Sequence, residues 1–435
     1  MQKTVLCIYA ICGMLLLPAG AQEVLTPQDA LTIALENNYD IRLADNAYKA
    51  DQLGVSAGMA GMLPGVDLVL NKNNSIQDLE QLRSDGTEQS SSDAKNNNLT
   101  YGVALDWTIF DGLAMFARYD KLKEMEKLGD AELKTAVLNN ISEVLITYYD
   151  IVKQQQQLTA LDSTLVISEQ RVELANNRFT IGKASKLELL NARVDFNADQ
   201  TQKLKQKALY NTTKIRLNEL LGRDTATGFE VVGEIEVDKE LFLPELELLA
   251  RERNPELLAE VIGKQIAELE LREVKAMRYP SIVATAGYNF SESESSLGFT
   301  RNSSAHGLNY GLGVRLNVFD GFNQNRNEKI AKIAIDQSKL MIEQKERALL
   351  AQLGTAYQTY QTNLGLIQLE YRNETIAREN LEITMEKYRI GTIPTIEFRT
   401  AQLNYINAQL RHSEARLQAK LSEIALKAIS GSLSL

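Results

Sequence analysis

The sequence predicts a mainly α-helical protein with a transmembrane β-barrel, in which each chain gives long helices and four strands to an assembly of three. Three observations predict it. One pattern occurs twice along the 435 residues, each copy sets two alternating strands ahead of proline-free helical runs, and no apolar run after residue 21 is as long as a membrane helix. Composition agrees: aromatics make up 6%, which suits long helices better than a compact α/β enzyme. The formal charge of −10 argues against nucleic acid as a partner.

Residues 1–21 read as a secretion signal. Lys3 supplies a positive start, Val5 to Leu17 is mostly apolar, Pro18 breaks the run, and Ala19-Gly20-Ala21 offers small residues for cleavage. The mature chain then starts at Gln22; an uncleaved anchor is the alternative. Cys7 and Cys12 both lie in this segment, and Cys12 follows Ile11 rather than the small residue that precedes a lipidated cysteine. A mature chain without cysteine has no disulfide, zinc–thiolate site or cysteine nucleophile.

Two repeats, 22–221 and 244–435, flank a linker at 222–243. Shifting by 209 positions lays Tyr101–Gly112 on Tyr310–Gly321, with five of twelve residues identical. The same shift lays Tyr148 on Tyr357, Gly182 on Gly391 and Glu188 on Glu397. Nearer the start the shift is 216, laying Asn38 on Asn254 and Pro64 on Pro280. Each repeat reads as helix, two strands, long helix, shorter helix.

Strands are expected at about 65–73, 98–109, 281–290 and 308–318. Leu99, Tyr101, Val103, Leu105, Trp107 and Ile109 alternate with Thr100, Gly102, Ala104, Asp106 and Thr108; Leu308 to Val318 does the same. A period of two marks a strand with one apolar face. A soluble hairpin would share it, but four such strands behind a signal, with runs near the 9–11 residues of a tilted spanning strand, favour a membrane. Asn71–Asn98 and Ser291–Asn309, rich in Ser, Asn, Asp and Glu, read as long extracellular loops. Four strands cannot close a barrel, and lipid tolerates no open edge, so several chains must share one. Three chains give twelve strands.

The first helix is expected at 27–62, long helices at 112–178 and 322–388, and shorter ones at 185–221 and 395–430. Neither long segment contains proline. Leu133, Val137, Ile141, Val144, Tyr148, Ile151, Leu158, Leu161, Leu165 and Val172 recur at a coiled-coil spacing. Some 67 residues at 1.5 Å each give a helix of ~100 Å. The turns that follow are Arg178-Phe179-Thr180-Ile181-Gly182-Lys183 and Tyr388-Arg389-Ile390-Gly391-Thr392-Ile393-Pro394. Glycine there ends a helix and Pro394 can open the next. This is ordinary hairpin grammar, yet it occurs twice, far along the chain from the strands.

These residues resemble the TolC-type outer-membrane efflux family over nearly the whole mature chain. The resemblance rests on Leu63-Pro64 and Tyr279-Pro280, on Phe110-Asp111-Gly112 and Phe319-Asp320-Gly321, on the paired Ile-Gly turns, and on Leu187–Ala192 and Ile396–Ala401 after them. It implies a homotrimer in the outer membrane with a twelve-stranded barrel, and a long α-helical barrel in the periplasm. It also implies a periplasmic adaptor and an inner-membrane transporter as partners, docked at the turns (Arg178, Phe179, Ile181, Gly182, Lys183, Arg389, Ile390, Gly391, Thr392, Ile393, Pro394). The function implied is an exit duct for a tripartite efflux or type I secretion system. By resemblance, Glu397 matches an acidic aperture position and Thr400 stands where a second acid is common. Tyr388 matches a tyrosine that holds the closed state, and Ile393 replaces an arginine. Glu188, the repeat counterpart of Glu397, completes the aperture candidates. Three Glu397 carboxylates around a narrow axis would favour cations; a solvated surface residue is the equal alternative.

No cofactor, metal or catalytic set is expected. His306 and His412 are the sole histidines, and no phosphate loop, nucleophile elbow or HExxH is present. Two rivals remain. A secreted coiled-coil adhesive or structural protein would explain the helices but not the strands. An adaptor would carry one helical hairpin rather than two.

Overall fold

A computed structural model describes residues 23–82, 84–296 and 300–433. The expected signal, with Cys7 and Cys12, lies outside the described residues. The elements run β1 (Glu23–Leu25), α1 (Pro27–Asn37), α2 (Tyr39–Gly54), β2 (Gly65–Leu82), β3 (Glu88–Asp111), α3 (Ala114–Thr180), α4 (Lys186–Leu220) and β4 (Phe229–Val231). They continue with α5 (Leu243–Arg253), α6 (Pro255–Ala276), β5 (Ser281–Ser295), β6 (Asn302–Arg315), α7 (Asn323–Ile390) and α8 (Thr395–Ile429). No described helix is long and apolar enough to cross a membrane. The chain divides into two compact units: Met1–Ile41, Val137–Leu246 and Leu353–Leu435 form one, Arg42–Ala136 and Glu247–Gln352 the other.

The second unit holds a four-stranded antiparallel sheet in the order β2-β3-β5-β6. Its register sorts side chains cleanly. One face carries the cross-strand rows Leu70–Tyr101–Phe290–His306, Leu68–Val103–Tyr288–Leu308 and Val66–Leu105–Ala286–Tyr310. The other carries Val69–Gly102–Asn289–Gly307 and Asp67–Ala104–Gly287–Asn309. Tyr101 stacks on Phe290 at 5.0 Å, and Tyr288 meets Phe290 edge-on at 5.3 Å. The apolar face stays open: Leu68 is 84% and Tyr310 83% exposed. Gly102 lets β3 and β5 approach, since a Cβ there would stand 2.3 Å from the Tyr288 carbonyl oxygen. The Trp107 indole Nε1 donates to the Met62 carbonyl at 2.9 Å, tying the sheet to the turn segment that precedes β2.

The strands outrun the lengths expected. β2 and β3 stay paired to Leu82↔Glu88, and β5 runs on to Ser295 opposite Asn96, so much of both expected loops is strand. Side-chain alternation reports a strand only where the two faces differ. Once two strands are in register, backbone bonds carry the ladder through Ser and Asn regardless. β6, in contrast, stops at Arg315 rather than 318, because its partner β5 begins opposite it at Ser281.

The first unit has an apolar core of Leu25, Leu31, Val144, Tyr148, Ile151, Leu217, Phe229 and Val231, among others. Short β1 pairs in parallel with β4, which turns part of the 222–243 linker into a core element. Tyr148 fixes the pair: its hydroxyl donates to the Leu25 carbonyl at 2.8 Å and accepts from the Val232 N–H at 3.1 Å. Burial pushes this phenol up to about 12. The helix expected at 27–62 is broken and shorter. The Asn38 side chain accepts from the Asp40 N–H at 2.8 Å and donates to the Leu220 carbonyl at 2.8 Å, ending α1 and starting α2 at one residue. Its counterpart Asn254 caps α6, accepting from the Leu257 N–H at 3.0 Å.

Candidate functional site at the helical turns

Both turns fold alike for the same local reason. After α3, Gly182 takes φ +74° and donates to the Phe179 carbonyl at 3.0 Å, while Lys183 reaches back to Arg178 at 2.8 Å. After α7, Gly391 takes φ +82°, with bonds to Tyr388 at 3.1 Å and from Thr392 to Lys387 at 3.0 Å. This pair of bonds satisfies carbonyls that a helix end leaves open, and the left-handed residue between them favours glycine. Ser185 then caps α4 by accepting from the Glu188 N–H at 3.3 Å. α8 opens after Pro394 without a side-chain cap.

Tyr388 is the hub. It is 2% exposed and its ring stacks on Phe398 of α8 at 5.1 Å. Its hydroxyl donates to Glu188 Oε1 on α4 at 3.1 Å. Arg178 of α3 donates from Nη2 to the Tyr388 carbonyl at 2.7 Å, lies 4.9 Å from the ring centre and stands 3.7 Å from Glu188. Burial pushes the Tyr388 phenol up, so it is a neutral donor at ordinary pH. Four helices thus meet on one side chain.

The structure brings together Tyr388, Glu188 and Arg178 but leaves Glu397 and Thr400 apart from them. These two sit three positions apart on the exposed face of α8, while Phe398 and Ala401 face inward. Phe179, Ile181, Gly182, Lys183, Arg389, Ile390, Gly391, Thr392 and Pro394 are exposed; Ile393 packs against the Tyr388–Phe398 cluster.

Sequence reasoning missed a buried polar network in the same unit. Arg399 grips Asp199 with two bonds of 2.8 Å and lies 3.8 Å from Asp195. Asp199 also accepts from Ser168, Ser168 accepts from Gln402 at 2.9 Å, and Arg171 pairs with Asp195. Ser168 and Arg171 lie on α3, Asp195 and Asp199 on α4, Arg399 and Gln402 on α8. The signal was present: Leu161, Thr164, Ser168, Arg171 and Ala175 are all buried at alternating steps of three and four. Leu165 and Val172, expected on the stripe, are only half-buried. The seam lies one residue over because the polar groups, paired with one another, hold it there.

The family model described as "Outer membrane efflux protein" matches residues 30–223 and 248–432. The protein CyaE of Bordetella pertussis is 24% identical over 96% of this chain and 86% of its own length. The proteases secretion protein PrtF of Dickeya chrysanthemi is 19% identical over 97% and 91%. Among solved structures, the Campylobacter jejuni CmeC outer membrane channel superposes with a TM-score of 0.76 at 17% identity, covering 93% of this chain and 85% of that one.

Proposed function

The chain belongs to the outer membrane efflux protein family and is an outer-membrane exit duct, and on that premise we propose that it works as a homotrimer whose turns form the gated entrance. The observation that carries the trimer is the open sheet. β2 and β6 are unpaired edges, and one sheet face exposes Val66, Leu68, Leu70, Val103, Leu308 and Tyr310. Lipid accepts that face but not those edges; pairing β2 of one copy with β6 of the next removes them, and three copies close twelve strands. The face of Gly, Ala, Asn and Asp then lines a wet lumen. The duplication of the sequence is supported by matched element orders, with α3 and α7 of 67 and 68 residues and α4 and α8 of 35 each.

The family works with periplasmic adaptors and inner-membrane pumps. In our reading the exposed Ile181, Lys183, Ile390 and Thr392 meet the adaptor of this chain, and solutes pass through without chemistry. The closed entrance is held by Tyr388, Glu188 and Arg178, and Glu397 gives each copy one carboxylate toward the axis. Single-channel conductance in a planar bilayer tests this. A low cation-selective conductance that loses selectivity in Glu397→Ala supports the acidic aperture; unchanged selectivity removes Glu397 from it. No conductance after deletion of both turns, from folded protein, would overturn the duct.

A further inference from the structure

The sheet is built from two hairpins in one and the same register. β2 opens on β3 at Gly65↔Asp106, and β5 opens on β6 at Ser281↔Arg315. These positions are related by the repeat shifts of 216 and 209, and the match holds out to Gln77↔Ala94 and Ser293↔Ser303. A third joint, β3 on β5, brings the two repeats together inside one chain, with Tyr101 opposite Phe290 and Asp106 opposite Thr285. The same shifts turn its two members into β6 and β2, which are the edges of the sheet. The chain thus carries a template for the joint that its own edges can make with a second copy.

At the template joint the motif Phe110-Asp111-Gly112 is covered. β3 stays paired to Asp111↔Ser281, and Phe110 is half-buried. A Cβ on Gly112 would stand 2.2 Å from the Ala276 carbonyl oxygen and 2.9 Å from Tyr279 Cβ. The repeat of this motif, Phe319-Asp320-Gly321, has the same backbone shape. Gly112 and Gly321 take φ +74° and +69°, and the following Leu113 and Phe322 take +71° and +65°. Yet Phe319 is 72% exposed, and a Cβ on Gly321 would meet only Asn323 Nδ2, at 3.9 Å, among the described residues. Leu63, which the shift sets in the place of Tyr279, is exposed as well. An edge shaped like its covered counterpart, and itself open, fits the strand that the counterpart receives.

We propose that β2 of one copy lies on β6 of the next in the register that β5 holds on β3; this rests on the trimer proposed for the duct and adds the pairing to it. Leu70 then faces Val314, Leu68 faces Leu316 and Val66 faces Phe319, so the apolar face runs unbroken across the joint. On the other face Asn317 stands opposite Asp67 and Arg315 opposite Val69, which sets Arg315 diagonally beside Asp67 as an attractive pair. Val318 takes the bulge that lies at Ile109 in the template, and β6 continues from Arg315 to Asp320. The neighbour's Leu63 settles against Gly321.

Disulfide trapping tests the register, because Cys7 and Cys12 are the sole cysteines and both lie in the expected signal. Ser75 and Asn309 lie on the face turned away from lipid and fall opposite each other across the joint. Within one chain they sit on opposite edges of the sheet, three strand spacings or ~14 Å apart at the least. That exceeds the ~7 Å Cα separation a disulfide spans, so only a bond between copies can form. Ser75→Cys with Asn309→Cys, mildly oxidised in the detergent-extracted protein, should give covalent dimers and trimers on a denaturing gel, lost on reduction. Asn73→Cys or Gln77→Cys with Asn309→Cys, displaced along β2 on the same face, should cross-link about tenfold less. Faster cross-linking of either displaced pair overturns the register and leaves the trimer standing. No cross-link in any pair also overturns the proposal, and the native mass of the same sample tells the two failures apart: three copies keep the trimer, one copy removes it.

Discussion

Arg178→Ala perturbs the proposed gate by removing three contacts at once. The side chain makes a charged hydrogen bond of 2.7 Å to the Tyr388 carbonyl, worth about 1.5–3 kcal/mol. Its approach to the Tyr388 ring at 4.9 Å adds about 0.5–1 kcal/mol. The 3.7 Å pairing with Glu188 reaches solvent at both ends and adds about 0–1 kcal/mol. Alanine replaces none of these, so the closed arrangement loses about 2–5 kcal/mol, which is a shift of roughly 30- to 4,000-fold in the opening equilibrium. Tyr388→Phe removes only the hydroxyl bond to Glu188 and should shift it less. The double variant should fall short of the sum, because both residues contact Glu188. Open probability in planar bilayers is the assay. If Arg178→Ala and Tyr388→Phe both gate as the native protein does, the contacts around Tyr388 do not hold the entrance.

Three further outcomes follow from the packing. Asp199→Ala leaves the buried Arg399 guanidinium only Gln402 and the more distant Asp195, and should cost up to about 3–5 kcal/mol by thermal melting, whereas Asp199→Leu with Arg399→Met should recover most of it. Tyr148→Phe removes two buried bonds and should cost about 1–3 kcal/mol. Because folding raises the Tyr148 phenol from near 10 to about 12, its stabilisation is full below about pH 10 and is lost as pH climbs through 12; the variant should lose less on that alkaline limb. Gly102→Ala sets a Cβ against the β5 backbone and should abolish heat-resistant oligomers on gels, while helical circular dichroism persists.

The legible parts of this protein are those where side-chain chemistry repeats. Alternation located the strands where one face is apolar, from Val66 to Leu70 and from Tyr288 to Phe290. It went silent where Asn73–Asn98 and Asn74–Asn97 face each other, since neither face there differs from the other. Glycine marked both turns because the left-handed residue of that cap tolerates little else. Asn38 was noticed as a repeat position, but its double capping role depends on Leu220, far away in sequence. The buried network was hidden for a related reason. Arg171, Asp195, Asp199 and Arg399 read as ordinary solvated charges until three helices bring them together, and only the stepping of Ser168, Arg171 and Ala175 hinted at a seam.

The mass of the detergent-extracted complex by native mass spectrometry tests the central claim most directly, because everything proposed for the barrel and the entrance needs three copies. A single species at three times the mature chain mass is predicted. A folded monomer or dimer with its sheet intact would leave two edges unpaired and contradict the account.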